Sequence, residues 1–254
     1  MTDLLHTLDR TVLIQAAPET VFRYFQESSK WATWWGAGST IDPVPGGKVY
    51  IRHPNGVETV GEVLEILPPE RIVFTYGYAS GNPIPPGASR VTIRLKPDAA
   101  GTRLRLHHEF SEANVRDQHV QGWRFQLSLF GNAVADEVFA GAATLVDSWF
   151  DAWADSNPQS RDETFARIAS PAITFRDRYS MLDGMTDVTS HVAAAQRFMP
   201  GIRLERKGDV RHCQGAVLAD WVARSADGQE RMSGTNLFLL GPDCKFTAVT
   251  GFAR

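Results

Sequence analysis

The chain has 254 residues, 43% of them hydrophobic and 22% charged, with a formal net charge of −3. That length allows about one to two domains, and the acidic balance excludes a broad nucleic-acid surface. No run approaches the roughly 18 uninterrupted apolar residues that cross a bilayer, the opening MTDLLHTLDR has no apolar core of a secretory signal, and two cysteines, Cys213 and Cys244, are too few for a disulfide framework and fit a reducing cytoplasm.

The first element, HTLDRTVLIQA, is predicted as a strand. It leads into APETVFRYF, where Pro18 suits a first helical position and Val21, Phe22 and Phe25 form an apolar stripe. The aromatic segment KWATWWGAG is placed in a loop. Strand-like runs then alternate with turns: KVYIRH, VETVGEVLEIL, RIVFTYGY, SRVTIRLK and TRLRLHHEF are separated by PNG, PPE, GNPIPPG and PDAAG. A helical pattern follows from about Glu112, with Val115, His119, Trp123, Gln126 and Phe130 at three- and four-residue steps.

The last two of those strands alternate cleanly. Val91, Ile93, Leu95, Leu104, Leu106, His108 and Phe110 share one face, while Arg90, Arg94, Lys96, Arg103, Arg105 and His107 share the other. A sheet with one wet face must cover its dry one, and the long helix is the available cover.

From about Asp136 the pattern restarts. ADEVFAGAATLVDSWFDAWA carries Phe139, Ala143, Val146, Phe150 and Trp153 on one helical face, and RDETFARIAS is a short helix stopped by Pro171. AITFRDR reads as a strand and MTDVTSHVAAAQRFMP as a helix stopped by Pro200. The strands IRLERKGDVRHC, GAVLADWVARS, ERMSGTNLFLL and KFTAVTGF close the chain. Apolar residues at helical spacing run without a gap from Val115 to Trp153. The expectation is two helices meeting near Gly131-Asn132, where Gly weakens continuity and Asn favours a cap; one bent helix shared by both halves is the alternative. No Pro/Ser-rich linker separates the halves, so little freedom of reorientation is expected.

The set APETVFRYF, KWATWWG, GEVLEILPPERIVFTYGY, LRLHHEF and HVQGWRFQLSLF closely resembles the SRPBCC (START-like, helix-grip) superfamily, within it the bacterial relatives of the heat-shock protein 90 ATPase activator. FRDRYSMLDG and LADWVARSADGQERMSGTNLFLLGPDCKFTAVTGF resemble the SnoaL-like branch of the nuclear transport factor 2-like superfamily. The resemblances imply an α+β chain: a helix-grip antiparallel sheet with a long C-terminal helix over residues 1–134, then a cone-like SnoaL-type domain over 135–254. They further imply a hydrophobic-ligand cavity under the C-terminal helix of the first domain, a pocket in the cone, and dimers packed through the second sheet. Neither implies a single chemistry.

Candidate residues follow from these faces. His107 and His108 cannot grip one ion, because adjacent strand residues point oppositely; no metal site and no cofactor signature is expected. For the first domain, Trp35, Tyr76, His108, His119, Trp123 and Gln126 are the candidate ligand contacts, with core packing as the competing role of the tryptophans Trp31, Trp34 and Trp35. For the second domain, Tyr179, His191 and Trp221 are candidate ligand contacts, and Asp220, Asp177 and Arg224 candidate catalytic groups. Asp220 interrupts an apolar strand, and a buried carboxylate without partners is expensive; its simpler explanation is that it faces water or a dimer seam and pairs with Arg224 or with a basic residue on a neighbouring strand. Asp177 equally suits a turn cap. The resulting expectation is a protein that binds a small hydrophobic or aromatic molecule. A cofactor-independent acid–base enzyme of the cyclase, isomerase or epoxide-hydrolase type is the alternative, and a chaperone-directed role would rest on analogy to the first domain alone.

Overall fold

The computed structural model describes residues 3–253, which divide between Ala135 and Asp136 into two compact units.

In the first unit, strand β1 (His6–Ile14) leads into a short helix α1 (Pro18–Phe22) that starts at Pro18 and tightens into a 3₁₀ turn at Arg23–Phe25. Helix α2 (Ser28–Trp35) comes next. Strands β2 (Thr40–Ile41), β3 (Lys48–Arg52), β4 (Glu58–Leu67), β5 (Arg71–Tyr78), β6 (Ser89–Asp98) and β7 (Gly101–Phe110) then precede helix α3 (Ala113–Val138). The strands form one antiparallel sheet in the order β1-β7-β6-β5-β4-β3-β2. Its inner face carries Val49, Ile51, Val63, Ile72, Phe74, Val91, Ile93, Leu104 and Leu106, all buried. The expected alternation on β6 and β7 is present in the burial of the two strands.

Two expectations are corrected here. KWATWWG is not a loop: Trp31, Trp34 and Trp35 lie on α2 and are all buried. Their spacing of three and four places them on one helical stripe, and that stripe packs against Phe25, Phe74 and Phe130 at ring-centroid distances of 4.9–6.0 Å. The second correction concerns Gly131-Asn132, where α3 runs through without a break. A helical glycine costs about 1 kcal/mol, less than the burial of Phe130, Val134 and Ala135 on the same stripe contributes. The helix ends instead at Val138, and Gly141 precedes the next one.

The second unit contains α4 (Ala142–Ala154), α5 (Pro158–Ile168), β8 (Ala169–Arg176), β9 (Met181–Asp183), α6 (Met185–Phe198), β10 (Arg203–Cys213), β11 (Ala216–Arg224), β12 (Glu230–Leu240) and β13 (Phe246–Ala253). The Asn157 side chain caps α5 by accepting from the backbone N–H groups of Gln159 and Ser160, and Pro158 begins the helix. Its sheet runs β10-β11-β12-β13-β8-β9, antiparallel except where β13 meets β8. Trp149 on α4 is the centre of the core, with Phe165, Phe175, Phe238 and Phe246 at 5.2–6.2 Å. Arg206 on β10 grips Asp147 on α4 with two hydrogen bonds of 2.7 and 3.0 Å.

Both units are thus mixed α+β. Among the described residues no single helix is long and apolar enough to cross a membrane.

Candidate functional site

The inner face of the first sheet is not uniformly apolar. Strand period 2 puts Ser89 in line with Val91, Ile93 and Leu95, and Thr59 in the buried row of β4. Tyr76 and Tyr78 share the inner face of β5, and His108 that of β7. Helix α3 lays His119, Trp123 and Gln126 over these positions. Trp35 reaches them from the end of α2, where Gly36 adopts φ +138° and lets the chain turn away. A Cβ on Gly36 would sit 2.3 Å from the Arg52 carbonyl oxygen, so only glycine fits this stop.

His108 is fully buried and its two nitrogens are both used. The Trp123 indole N–H donates to Nδ1 at 2.9 Å, and an indole nitrogen can only donate. Nδ1 is therefore bare, Nε2 carries the proton, and it donates to Ser89 Oγ at 2.9 Å. Ser89 in turn donates to the Tyr76 carbonyl at 2.8 Å. Burial, with the nearby His119 and His107 adding, holds the imidazole well below its ordinary pKa, so it stays neutral. This relay pins α3 to the sheet and leaves His108 no free atom for a guest. Gln126 is committed likewise: its side-chain N–H donates to the Trp34 carbonyl.

His119 is half-buried and less occupied. Its Nδ1–H donates to the Val115 carbonyl at 2.8 Å, so Nε2 is the acceptor, and it meets the Tyr78 hydroxyl at 3.3 Å. Burial lowers the pKa of His119, and also of His53 at the end of β3. The Tyr76 phenol is pushed up by burial and stays protonated. A continuous set of ring contacts of 5.5–6.1 Å links His53, Trp35, Trp123, His108, Tyr76 and His119. Two buried indole donors of this region, Trp34 Nε1 and Trp35 Nε1, have no hydrogen-bond partner among the described residues, while the buried Thr59 hydroxyl lies against the Tyr76 phenol. Thr59 is cross-strand from Tyr78.

Thr59, Tyr78, His53 and Ser89 were not among the candidates read from the sequence. Ser89 and Thr59 did leave a signal: each is a polar residue at an inward position of its strand.

In the second unit the candidates do not gather at one point. Asp220 shares the face of Leu218 and Arg224, while Val217, Ala219 and Trp221 point into the core. Its side chain is 39% exposed, accepts a hydrogen bond from Thr235 and lies 3.8 Å from Arg211 on β10. Of the two pairings expected for it, the one with a neighbouring strand is present among the described residues and the one with Arg224 is not. Arg224 pairs with Glu205 at 3.4 Å and donates to the Gly228 carbonyl. Tyr179 is 73% exposed, with the Arg178 guanidinium over its ring.

On the inner side, Trp221 donates its indole N–H to Asn236 at 2.9 Å, and both are buried. Gly251 faces Asn236 across the β12–β13 pair, and a Cβ there would lie 3.2 Å from Asn236 Oδ1 and 3.4 Å from Asp177 Cβ. Asp177 therefore approaches the inner polar residues. One of its oxygens closes a turn by accepting from the Tyr179 N–H at 2.8 Å. His191 stands between Trp153 and Phe175 and meets the Ser180 hydroxyl at 3.3 Å. Among the described residues no group of three His, Cys, Asp or Glu is placed to hold a metal ion.

Comparison with known proteins places part of this geometry in a family. Residues 15–134 match the family described as Activator of Hsp90 ATPase homolog 1-like protein. No curated protein matches the chain. Among solved structures, the AHSA1-like protein from Rhizobium etli is 26% identical with a TM-score of 0.42, covering 51% of this chain and 82% of that one. The Aha1 dimer from Colwellia psychrerythraea is 16% identical with a TM-score of 0.44, covering 51% and 96%. A putative isomerase of the SnoaL-like family from Agrobacterium tumefaciens is 20% identical with a TM-score of 0.43, covering 44% and 95%. The family match ends one residue before the end of the first unit, so residues 15–134 constitute an Activator of Hsp90 ATPase homolog 1-like domain.

Proposed function

We propose that the first unit binds a small apolar or aromatic molecule bearing a hydrogen-bond acceptor, seated at the polar end of its aromatic interior beside Trp35, Thr59, Tyr76 and His119. The observation that carries this reading is the buried indole donor Trp35 Nε1, which has no hydrogen-bond partner among the described residues. A buried donor without a partner costs about 1–3 kcal/mol, a cost an acceptor on a bound molecule would remove. Aromatic walls with a few placed polar groups are the usual make-up of such sites. His108 and Gln126 act in this reading as positioning residues, because their polar atoms are spent inside the protein.

The test uses 1-anilinonaphthalene-8-sulfonate, an aromatic probe with acceptor oxygens, and the full chain. Trp35→Phe removes a donor that has no partner to lose and should leave folding intact; Thr59→Val, nearly the same volume, removes the hydroxyl beside the Tyr76 phenol. Each should weaken probe binding several-fold. Unchanged affinity in both variants, or no binding to the parent chain, would sink the reading.

For the second unit, we read the sheet closing on α4, α5 and α6 as a SnoaL-like cone that dimerises through its outer face, in a cytoplasmic protein. Exposed apolar side chains on that face, Leu239 and Phe252, support the pairing, and two cysteines that form no disulfide with each other support the compartment. A second functional reading, acid–base catalysis within the cone, has one observation in its favour: the approach of Asp177 to Asn236 around Gly251. It places the carboxylate role on Asp177 rather than Asp220. Turnover of an epoxide or enolisable ketone that survives Asp177→Asn would remove it.

A further inference from the structure

The outer face of the first sheet, remote from the aromatic interior, has a feature that ordinary solvated strands avoid. Arg71 on β5, Arg94 on β6 and Arg105 on β7 are direct cross-strand neighbours in one row. The next row sets Lys96 opposite Arg103. Side chains directly opposite on one face have Cβ atoms about 5 Å apart, and like charges so placed destabilise the sheet. Most of these cations are offset: Glu65 pairs with Arg71, Asp9 with Arg105, and Asp98 with Arg103. Arg94, the centre of the row, is exposed and has no carboxylate partner among the described residues.

The face is also concave here. A cavity of about 430 Å³ has Val73, Thr92 and His107 as its floor, the arginine row on one side and the Arg90–Glu109 pair on the other. Arg90 is held by Glu109 through two hydrogen bonds of 2.6 Å and so is not available. His107 directs Nδ1 to Asp9 at 3.1 Å. Arg105 is held by Asp9 through two hydrogen bonds of 2.9 and 3.2 Å, so what remains facing the groove is the Arg94 fork and the Thr92 hydroxyl, for which no hydrogen bond is made among the described residues.

We propose that this cavity is a binding site for a small phosphate-bearing molecule, with Arg94 as its principal ligand group. Arginine presents a planar fork of donors that matches phosphate oxygens two at a time. The depression is half open to solvent, so the bound group is held on one side only. Glu65, Glu109 and Asp9 border the site and would repel an extended polyanion, so a compact free phosphate compound fits and a nucleic-acid backbone or anionic membrane does not. The site is independent of the aromatic interior, since it lies on the opposite face of the sheet.

The probes are inorganic phosphate and pyrophosphate, titrated into the full chain at constant ionic strength, with amide chemical shifts and melting temperature as readouts. Saturable shifts should centre on β6 and β7, and both anions should raise the melting temperature above a chloride control. Arg94→Gln should weaken binding by at least about tenfold, equivalent to about 1.4 kcal/mol, while the unliganded variant melts no lower than the parent because a like-charge contact has been removed. Arg94→Lys, which keeps charge but loses the fork, should give an intermediate affinity. Lys207→Gln, in the second unit, is the control and should change nothing. Non-saturating shifts, equal affinity in parent and Arg94→Gln, or preference for anionic vesicles over pyrophosphate would each overturn the proposal.

Discussion

The indole N–H of Trp123 donates to Nδ1 of His108 at 2.9 Å, and both residues are buried. This bond ties the long helix to strand β7 of the first sheet and dictates the histidine's tautomer. Trp123→Phe removes the donor while keeping most of the ring volume. It leaves a buried acceptor unpaired, at a cost of about 1–3 kcal/mol. Urea denaturation of the full chain, following the transition of the first unit, should show that loss; no change would mean the bond does not hold the helix.

Acidification should act through the same histidine. Burial keeps the folded His108 pKa well below its unfolded value of about 6.5. Below pH ~6.5 the unfolded chain therefore binds a proton that the folded chain refuses. Stability is fully present above that pH and falls as pH drops, by up to about 1.4 kcal/mol per pH unit, until the folded value is reached. His119 and His53, also lowered by burial, push in the same direction. Denaturation midpoints measured on either side of pH 6.5 check the sign. A first unit that gains stability on acidification would contradict it.

Gly36 offers a test of the backbone. Its φ is +138°, and a methyl group added to it would stand 2.3 Å from the Arg52 carbonyl oxygen, so Gly36→Ala must move either the α2 terminus or β3. The expected loss exceeds about 1 kcal/mol. Trp35, the preceding residue, should shift with it, which a change in tryptophan fluorescence would report.

The second unit depends on one side chain more than any other. Trp149 is 1% exposed and touches aromatic rings from α5, β8, β12 and β13. Trp149→Ala should destabilise that unit by about 3–5 kcal/mol. The transition of the first unit should stay in place, since its core lies in its own sheet and helices; calorimetry of the full chain separates the two.

The strands and most helices could be read from the chain because their causes are local. Alternation set the faces of β6 and β7, Pro18 set a helix start, and turn residues set the meander, whereas the α5 helix begins at Pro158, three residues before the start read from the chain. Even the error over Trp31, Trp34 and Trp35 was legible, since their spacing is helical. The break sought at Gly131-Asn132 was not: local propensity favours it by about 1 kcal/mol, and burial of the flanking stripe outweighs it.

The site followed a different rule. Sequence periodicity determined that Asp220 and Trp221 point oppositely, and that His107 and His108 do, but it carried no sign to say which face is wet. Only packing decided that Trp221 goes inward and Asp220 outward. Only the pairing of β5, β6 and β7 brought Arg71, Arg94 and Arg105, far apart in the chain, into one row. Hydrogen-bond partners such as Trp123, His108 and Ser89 lie on three different elements, so their mutual commitment exists only once the helix has closed on the sheet. A residue's period is local, whereas its partner is a property of the assembled fold.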